Sequence, residues 1–195
     1  MRYGADFVEA VTRTDRREEL ARASYELIAE LGVDGASLRG VARRLGATTG
    51  LVSHHFSNRA ELIEAALDHA VRVCRERFVP TDRRVELIDV LEAVLPTEPS
   101  TETVWRFSFS VRTAALFDPE LRRFDASIRA IWDDNLPRAL RPVVGARARD
   151  VATQLVALID GIALQAVVDP DRWPADRQRA VLRAAYRDLV NQGEP

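Results

Sequence analysis

The sequence predicts an all-α chain of about nine helices, and three observations carry that prediction. Apolar residues recur at three- and four-residue spacing along the chain. No stretch alternates apolar and polar residues as a half-buried strand would, and no internal repeat is present. Residues that start helices (Ser37, Thr48, Asn58, Asp118) and residues that stop them (Gly32, Gly46, Pro80) punctuate the pattern.

Residues 1–13 read as a loosely held arm. Asp15, with Glu18 three positions later, forms an acceptable capping pair for a first helix. That helix runs to about Leu31, with Leu20, Ala23, Leu27, Ile28 and Leu31 on one face, and Gly32 ends it. After a turn over Val33–Ala36, Ser37 caps a second helix. Leu38, Val41, Ala42 and Leu45 fall at the spacing of one buried face. Gly46 follows at once, where the chain needs a residue that tolerates positive φ. Thr48 caps a third, short helix, and Val52 and Phe56, four apart, turn its apolar side inward. Asn58 and Glu61 are set to start a long fourth helix, with Leu62, Ile63, Ala66, Leu67, Ala70, Val71 and Cys74 on one stripe.

Thr81 and Asp82 are expected to start a fifth helix, with Val85, Leu87, Ile88, Leu91 and Leu95 as its apolar positions. Pro96 and Pro99 bracket a loop. A sixth helix, from about Thr101 to Phe117, is rich in aromatic residues: Trp105, Phe107, Phe109 and Phe117. Asp118-Pro119 restarts the chain, with proline at a favoured first position. The seventh helix carries Leu121, Phe124, Ile128, Ile131, Trp132 and Leu136, and Pro137 is expected to kink or end it. Residues 146–168 form a helix apolar on more than one face. Trp173-Pro174 opens the last helix, with Val181, Leu182, Ala185, Leu189 and Val190.

The totals narrow the function. With 195 residues, 47% of them hydrophobic, the chain suffices for one large helical domain or a small one joined to a larger. The net charge is only −2, but residues 35–60 carry four arginines and no acid. A local basic patch on a near-neutral protein suits sequence-specific DNA binding better than indiscriminate coating of nucleic acid. One cysteine, Cys74, forbids an internal disulfide and suggests no Cys-based metal cluster. No unbroken apolar run approaches the roughly 18 residues of a membrane span. The N-terminus, MRYGADFVEA, lacks the apolar core of a secretory signal, so a cytoplasmic location without membrane attachment is expected. All 28 basic residues are arginine, which excludes Schiff-base chemistry by this chain.

The stretch Ser37–Phe56, SLRGVARRLGATTGLVSHHF, therefore reads as helix, sharp turn, helix. Thr49, Gly50, Ser53 and His54 face outward, flanked by Arg39, Arg43 and Arg44. Such a surface is shaped to enter the major groove of DNA. Ser53 and His54 do not form a nucleophile and base, because adjacent helical residues point about 100° apart and no acid lies near to orient the imidazole.

Residues 15–70 resemble the N-terminal DNA-binding domain of the TetR family of bacterial repressors. The resemblance runs without gaps through ELIAELGVDGASLRGVARRLGATTGLVSHHFSNRAELIEAAL. The form GLVSHHF is similar to the betaine-biosynthesis-repressor subgroup. The resemblance implies a DNA-binding domain over 1–58 and a regulatory and dimerisation domain over 59–195. It places DNA contacts at Ser37, Arg39, Thr48, Thr49, Gly50, Leu51, Ser53, His54, His55 and Arg59. Of these, Thr49, Gly50, Leu51 and His54 suit base edges. Ser37, His55 and Arg59 suit phosphates, and Arg39 suits either. The chain departs from the common pattern in having Ser53 where tyrosine is usual and Arg59 where lysine is usual.

By residue type alone, the aromatic cluster at 105–132 is either core or the wall of a cavity. Likewise the 146–168 helix lies either at the centre of a monomer or in a dimer interface. The resemblance implies a small-molecule effector among the middle helices, near Trp105, Phe109, Phe117 and Trp132. Those aromatics favour an apolar or cationic ligand, and no Gly-rich phosphate loop is present. It also implies a homodimer through the last two helices, with Ile159 and Ile162 expected in a dry interface. The expected function is a ligand-responsive repressor on a palindromic double-stranded DNA operator, with no cofactor or metal. The rivals are a regulator that answers a protein partner and a small helical enzyme or carrier. The enzyme would need a convergent set of acid, base or nucleophile, which the sequence lacks.

Overall fold

A computed structural model describes residues 3–78 and 86–191, with side chains over 15–76 and 86–191. Its α-helices are α1 (Tyr3–Leu31), α2 (Leu38–Arg44), α3 (Thr49–His55), α4 (Arg59–Phe78), α5 (Leu87–Ala93), α6 (Pro99–Ala115), α7 (Pro119–Val144), α8 (Ala148–Val168) and α9 (Ala175–Asn191). Short 3-10 turns over Val33–Gly35 and Gly145–Arg147 precede α2 and α8. The described residues contain no strand, so the all-α expectation holds.

Two boundaries differ from the sequence reading. α1 begins at Tyr3 rather than Asp15. No glycine or proline interrupts residues 5–31, so the Asp15–Glu18 pair lies within a continuous helix. α7 runs through both Pro137 and Pro142. An interior proline costs about 3 kcal/mol, but Leu136, Leu140 and Val144 are buried on either side of these prolines and hold the turns in place. The expected start of α5 at Thr81 and Asp82 lies outside the described residues.

The chain separates into two compact units, Met1–Val73 and Cys74–Pro195, whereas the sequence reading divides it at 58/59. The first unit packs Leu20, Leu27, Val41, Val52, Phe56 and Leu62 into one buried cluster. The early part of α4 belongs there because Leu62 is fully buried in that cluster. His69 and Arg72, further along α4, meet Glu18 of α1.

In the second unit α8 is the central helix. Val151, Leu155, Ile159 and Ile162 are buried with Leu91 of α5, Leu95 just after it, Leu140 of α7 and Leu182 of α9. Ile159 and Ile162 are 3% and 2% exposed within the single chain, so they fill its own core and are not interface residues. The apolar face left outside is a different stripe: Ala157, Gly161, Leu164 and Val168. The stretch Pro119–Val168 contains an 18-residue window of mean hydropathy 1.8, apolar enough by length and composition for a membrane span. A count of unbroken apolar residues overlooks it. Burial in the core accounts for part of that composition, and the exposed apolar stripe of α8 carries the rest.

Candidate nucleic-acid interface and ligand cavity

Local hydrogen bonds fix the two helices of the turn. The Ser37 Oγ accepts from the Gly40 amide at 3.0 Å, and the Thr48 Oγ1 accepts from the Leu51 amide at 3.2 Å. Each satisfies one of the amides that a helix start leaves unpaired. Gly46 makes the turn between them at φ +61°, a conformation that side chains resist. Gly40 is needed for another reason: a Cβ there would lie 2.9 Å from the Ser37 Oγ.

The outer face of α3 presents Thr49, Gly50, Ser53 and His54 as exposed residues, with Leu51 half-buried beside them. The Ser53 hydroxyl donates to the Thr49 carbonyl at 2.9 Å, leaving its oxygen as an acceptor. His55 is half-buried, and its ring stands edge-on to that of His54 with centroids 5.4 Å apart. Its carbonyl, at the end of α3, accepts from the Arg17 Nη1 at 2.7 Å. The same guanidinium lies 4.4 Å from the centre of the buried Phe56 ring. Arg17 thus ties the end of α3 to α1, a role that sequence reasoning missed.

The arginines of the basic patch divide into two kinds. Arg59 is expected on a phosphate, yet its Nε donates to the Ala36 carbonyl at 2.8 Å and its Nη2 to the Val33 carbonyl at 2.7 Å. It holds the entry to α2. Arg44 makes a two-pronged pair with Glu30 at 2.7 and 2.8 Å and also reaches Glu26. The Arg44 hydrogen bonds and charge hold the Glu30 carboxyl below the usual range despite some desolvation. Arg39 and Arg43 are exposed and make no hydrogen bond or ion pair among the described residues. Their guanidinium groups stand open to solvent on the outer face.

In the second unit a cavity of about 30 Å³ lies between α4, α6, α7 and α8. Trp105, Trp132, Val104, Ile128, Val156, Ile159 and Cys74 give it an apolar wall, and Ser108, Arg112, Arg129 and Asp160 supply the polar groups. The Trp105 Nε1 donates to the Val94 carbonyl at 2.6 Å, which pins the indole. Phe109 packs on Trp105 with ring centroids 5.5 Å apart, one layer behind the wall. Phe117 is 86% exposed in the turn after α6, in line with the outer face of Arg106 and Thr113, and stands outside the cavity. Of the four aromatic residues expected there, Trp105 and Trp132 line the cavity, Phe109 supports it and Phe117 takes no part.

The charged residues of this cavity escaped sequence reasoning. Arg112 of α6 donates through Nε to Asp125 of α7 at 3.0 Å, and its Nη1 lies 2.9 Å from Asp160 of α8. Arg129 also reaches Asp125, at 3.2 Å. One signal was visible: Asp160 is the lone charged residue between Val151 and Val168. A charge inside so apolar a run needs a partner in the fold.

Comparison with known proteins agrees with both halves. The family described as bacterial regulatory proteins, tetR family, matches residues 20–66. The family described as BetI-type transcriptional repressor, C-terminal, matches residues 83–191. The HTH-type transcriptional regulator BetI of Paraburkholderia phytofirmans is 31% identical, over 91% of this chain and 94% of that protein. A crystal structure of a transcriptional regulator from Rhodococcus sp. Rha1 superposes with a TM-score of 0.80 at 28% identity, covering 91% of this chain and 96% of that one. The multidrug binding protein EbrR, complexed with proflavin, superposes with a TM-score of 0.53 at 26% identity, over 87% of this chain and 99% of that one. These relatives are regulators and binding proteins rather than enzymes. The chain belongs to the TetR family of bacterial DNA-binding transcriptional regulators, with a C-terminal half of the BetI repressor type.

Proposed function

We propose that this protein is a cytoplasmic repressor that binds a near-palindromic operator as a two-fold homodimer and leaves it when an apolar, cationic molecule enters the second unit. The carrying observation is the cavity itself: two tryptophans face a single small space with a carboxylate, Asp160, that already holds one cation, Arg112. Aromatic faces and a carboxylate together suit a weakly hydrated organic cation. The proflavin complex of EbrR, a protein of the same fold, supports the class. α4 is one continuous helix from Arg59 to Phe78, and Cys74 near its end lines the cavity. A ligand there would act on the helix that follows the reading helix.

On the DNA side, Thr49, Gly50, Leu51 and His54 read base edges, and Ser37, Thr48, Ser53 and His55 lie beside the backbone. Arg39 and Arg43 supply the phosphate contacts, and Arg59 supports the turn that carries them. The dimer forms through α8 and α9 along Ala157, Gly161, Leu164 and Val168. A Cβ added at Gly161 would meet nothing within 4 Å in one chain, which leaves room for a second helix to approach closely. The half-sites then lie about one helical turn apart, or a multiple of it.

Selection from a randomised duplex pool tests the reading head. Thr49→Ala and His54→Ala should each alter the preferred base at one position, by about 1–3 kcal/mol. The same preferences in both variants as in the parent would refute this assignment. A thermal-shift screen of organic cations tests the cavity, since a ligand bound only to the folded state raises its stability.

A further inference from the structure

The cavity already holds a cation of its own. Asp160 is the one carboxylate in its wall, and the guanidinium of Arg112 sits on it at 2.9 Å. Arg112 and Arg129 together balance Asp125 and Asp160, so the cluster is neutral as it stands. Burial alone would ease the proton from Arg112, but Asp160 and then Asp125 outweigh it and raise its pKa further. A ligand therefore cannot gain Asp160 by waiting for Arg112 to lose its charge.

Adding a second cation beside this cluster would leave one positive charge uncompensated in a largely apolar space, which is costly. Space sets the same condition. About 30 Å³ holds one or two water molecules, so an organic cation must displace a side chain of the wall. Trp105 is pinned by its bond to the Val94 carbonyl, and Val104 and Ile159 are buried in the core. Arg112 differs from these: its chain is long, and it holds a second carboxylate, Asp125, to which it can retract.

Resting on the effector reading above, we propose that Arg112 is a specificity-determining residue that occupies the effector's place. An apolar cation binds by taking Asp160 from Arg112, which remains on Asp125. The exchange conserves charge within the cluster and cuts the ion pair between α6 and α8 as the ligand enters. A neutral molecule of the same shape has nothing to offer Asp160 and leaves the pair closed. An anion is opposed by Asp160 and finds both arginines already engaged.

The experiment titrates the full-length protein with proflavin by fluorescence, alongside neutral 1-aminoanthracene as a dye of similar shape. Arg112→Gln vacates Asp160 and should bind proflavin about tenfold more tightly than the parent, with little change for the neutral dye. Asp160→Asn should weaken proflavin by a similar factor. If Arg112→Gln proves unfolded by circular dichroism, Arg112→Lys serves instead. It keeps the charge but not the two-pronged grip, and it should also bind proflavin more tightly. Parent protein that binds proflavin, with folded Arg112 variants that bind it equally or more weakly, overturns the exchange but leaves the effector reading standing. No proflavin binding by the parent or any variant overturns both.

Discussion

In the unit Met1–Val73 arginine ties surround a small apolar cluster; in the unit Cys74–Pro195 similar ties surround a long central apolar helix, and one charge cluster borders a cavity. Arg17 grips the last carbonyl of α3, Arg44 binds Glu26 and Glu30, Arg59 grips the turn before α2, and Arg72 pairs with Glu18. The second unit threads α8 through a continuous apolar cluster and adds ties of its own: Arg147 donates to the Leu189 and Val190 carbonyls, and Arg183 pairs with Glu92. The lesson for the basic patch is that a guanidinium in a helix-turn-helix is not by position a phosphate ligand. Those that hold the reading helix in place sit beside exposed ones, Arg39 and Arg43, that make no such bonds among the described residues.

The comparison can be broken most severely at α8. Ile159→Glu should unfold the protein, because it places a charge in the core of a single chain. Leu164→Glu, on the exposed stripe, should leave a folded monomer. Sedimentation with far-ultraviolet circular dichroism separates the two. A folded, dimeric Leu164→Glu would move the interface off this stripe. Next in size is Phe56→Ala, which removes a fully buried ring and should cost about 3–5 kcal/mol in urea denaturation. It also removes the surface on which Arg17 rests.

Smaller still is the contrast between two arginines. Arg17→Ala should weaken the selected operator about tenfold yet leave the salt slope unchanged, because it orients α3 and touches no phosphate. Arg39→Ala should lower the slope by about 0.9 for each phosphate that is no longer neutralised. A reduced slope for Arg17→Ala would make it a phosphate ligand after all. The smallest effect concerns acid. Desolvation pushes the Glu18 carboxyl up, but hydrogen bonds and charge from Arg72 and His69 outweigh it and hold it below the usual range. A depressed carboxylate gives stability above its unfolded value, about 4.3, and loses it as pH falls through the folded value. Glu18→Gln should therefore flatten the loss of stability below about pH 4.5, as read by denaturation midpoints across pH.

Much of the first unit was legible in the sequence because its decisive contacts are short in sequence. Ser37 caps three residues ahead, Thr48 does the same, and Gly46 turns the chain where a positive φ was expected. Arg17 and Arg59 act across 38 and 23 residues, on carbonyl groups that every residue type carries, so their partners have no sequence signature. In the second unit Trp105 and Trp132 were legible as large aromatics in a helical domain. Phe117 was misread: at helical spacing it follows Arg106, Ser110 and Thr113, the outer side of α6, rather than Trp105. An α8 apolar on more than one face could not disclose which of them, that of Ile159 or that of Leu164, meets its own chain. The Arg112–Asp160 pair spans 48 residues by subtraction of their numbers, and only the lone acid in an apolar run hinted at it.

Cys74 gives the second unit a chemical clock. It is the single cysteine of the chain, it lines the cavity, and burial pushes its thiol up to about 11. Near pH 7 roughly one such thiol in ten thousand is ionised, so reagents that attack thiolates react with it slowly. An opening of the wall that admits water would lower that barrier and admit the reagent together. The rate at which a maleimide consumes this one sulfur thus reports how often the cavity opens, with no label engineered into the protein.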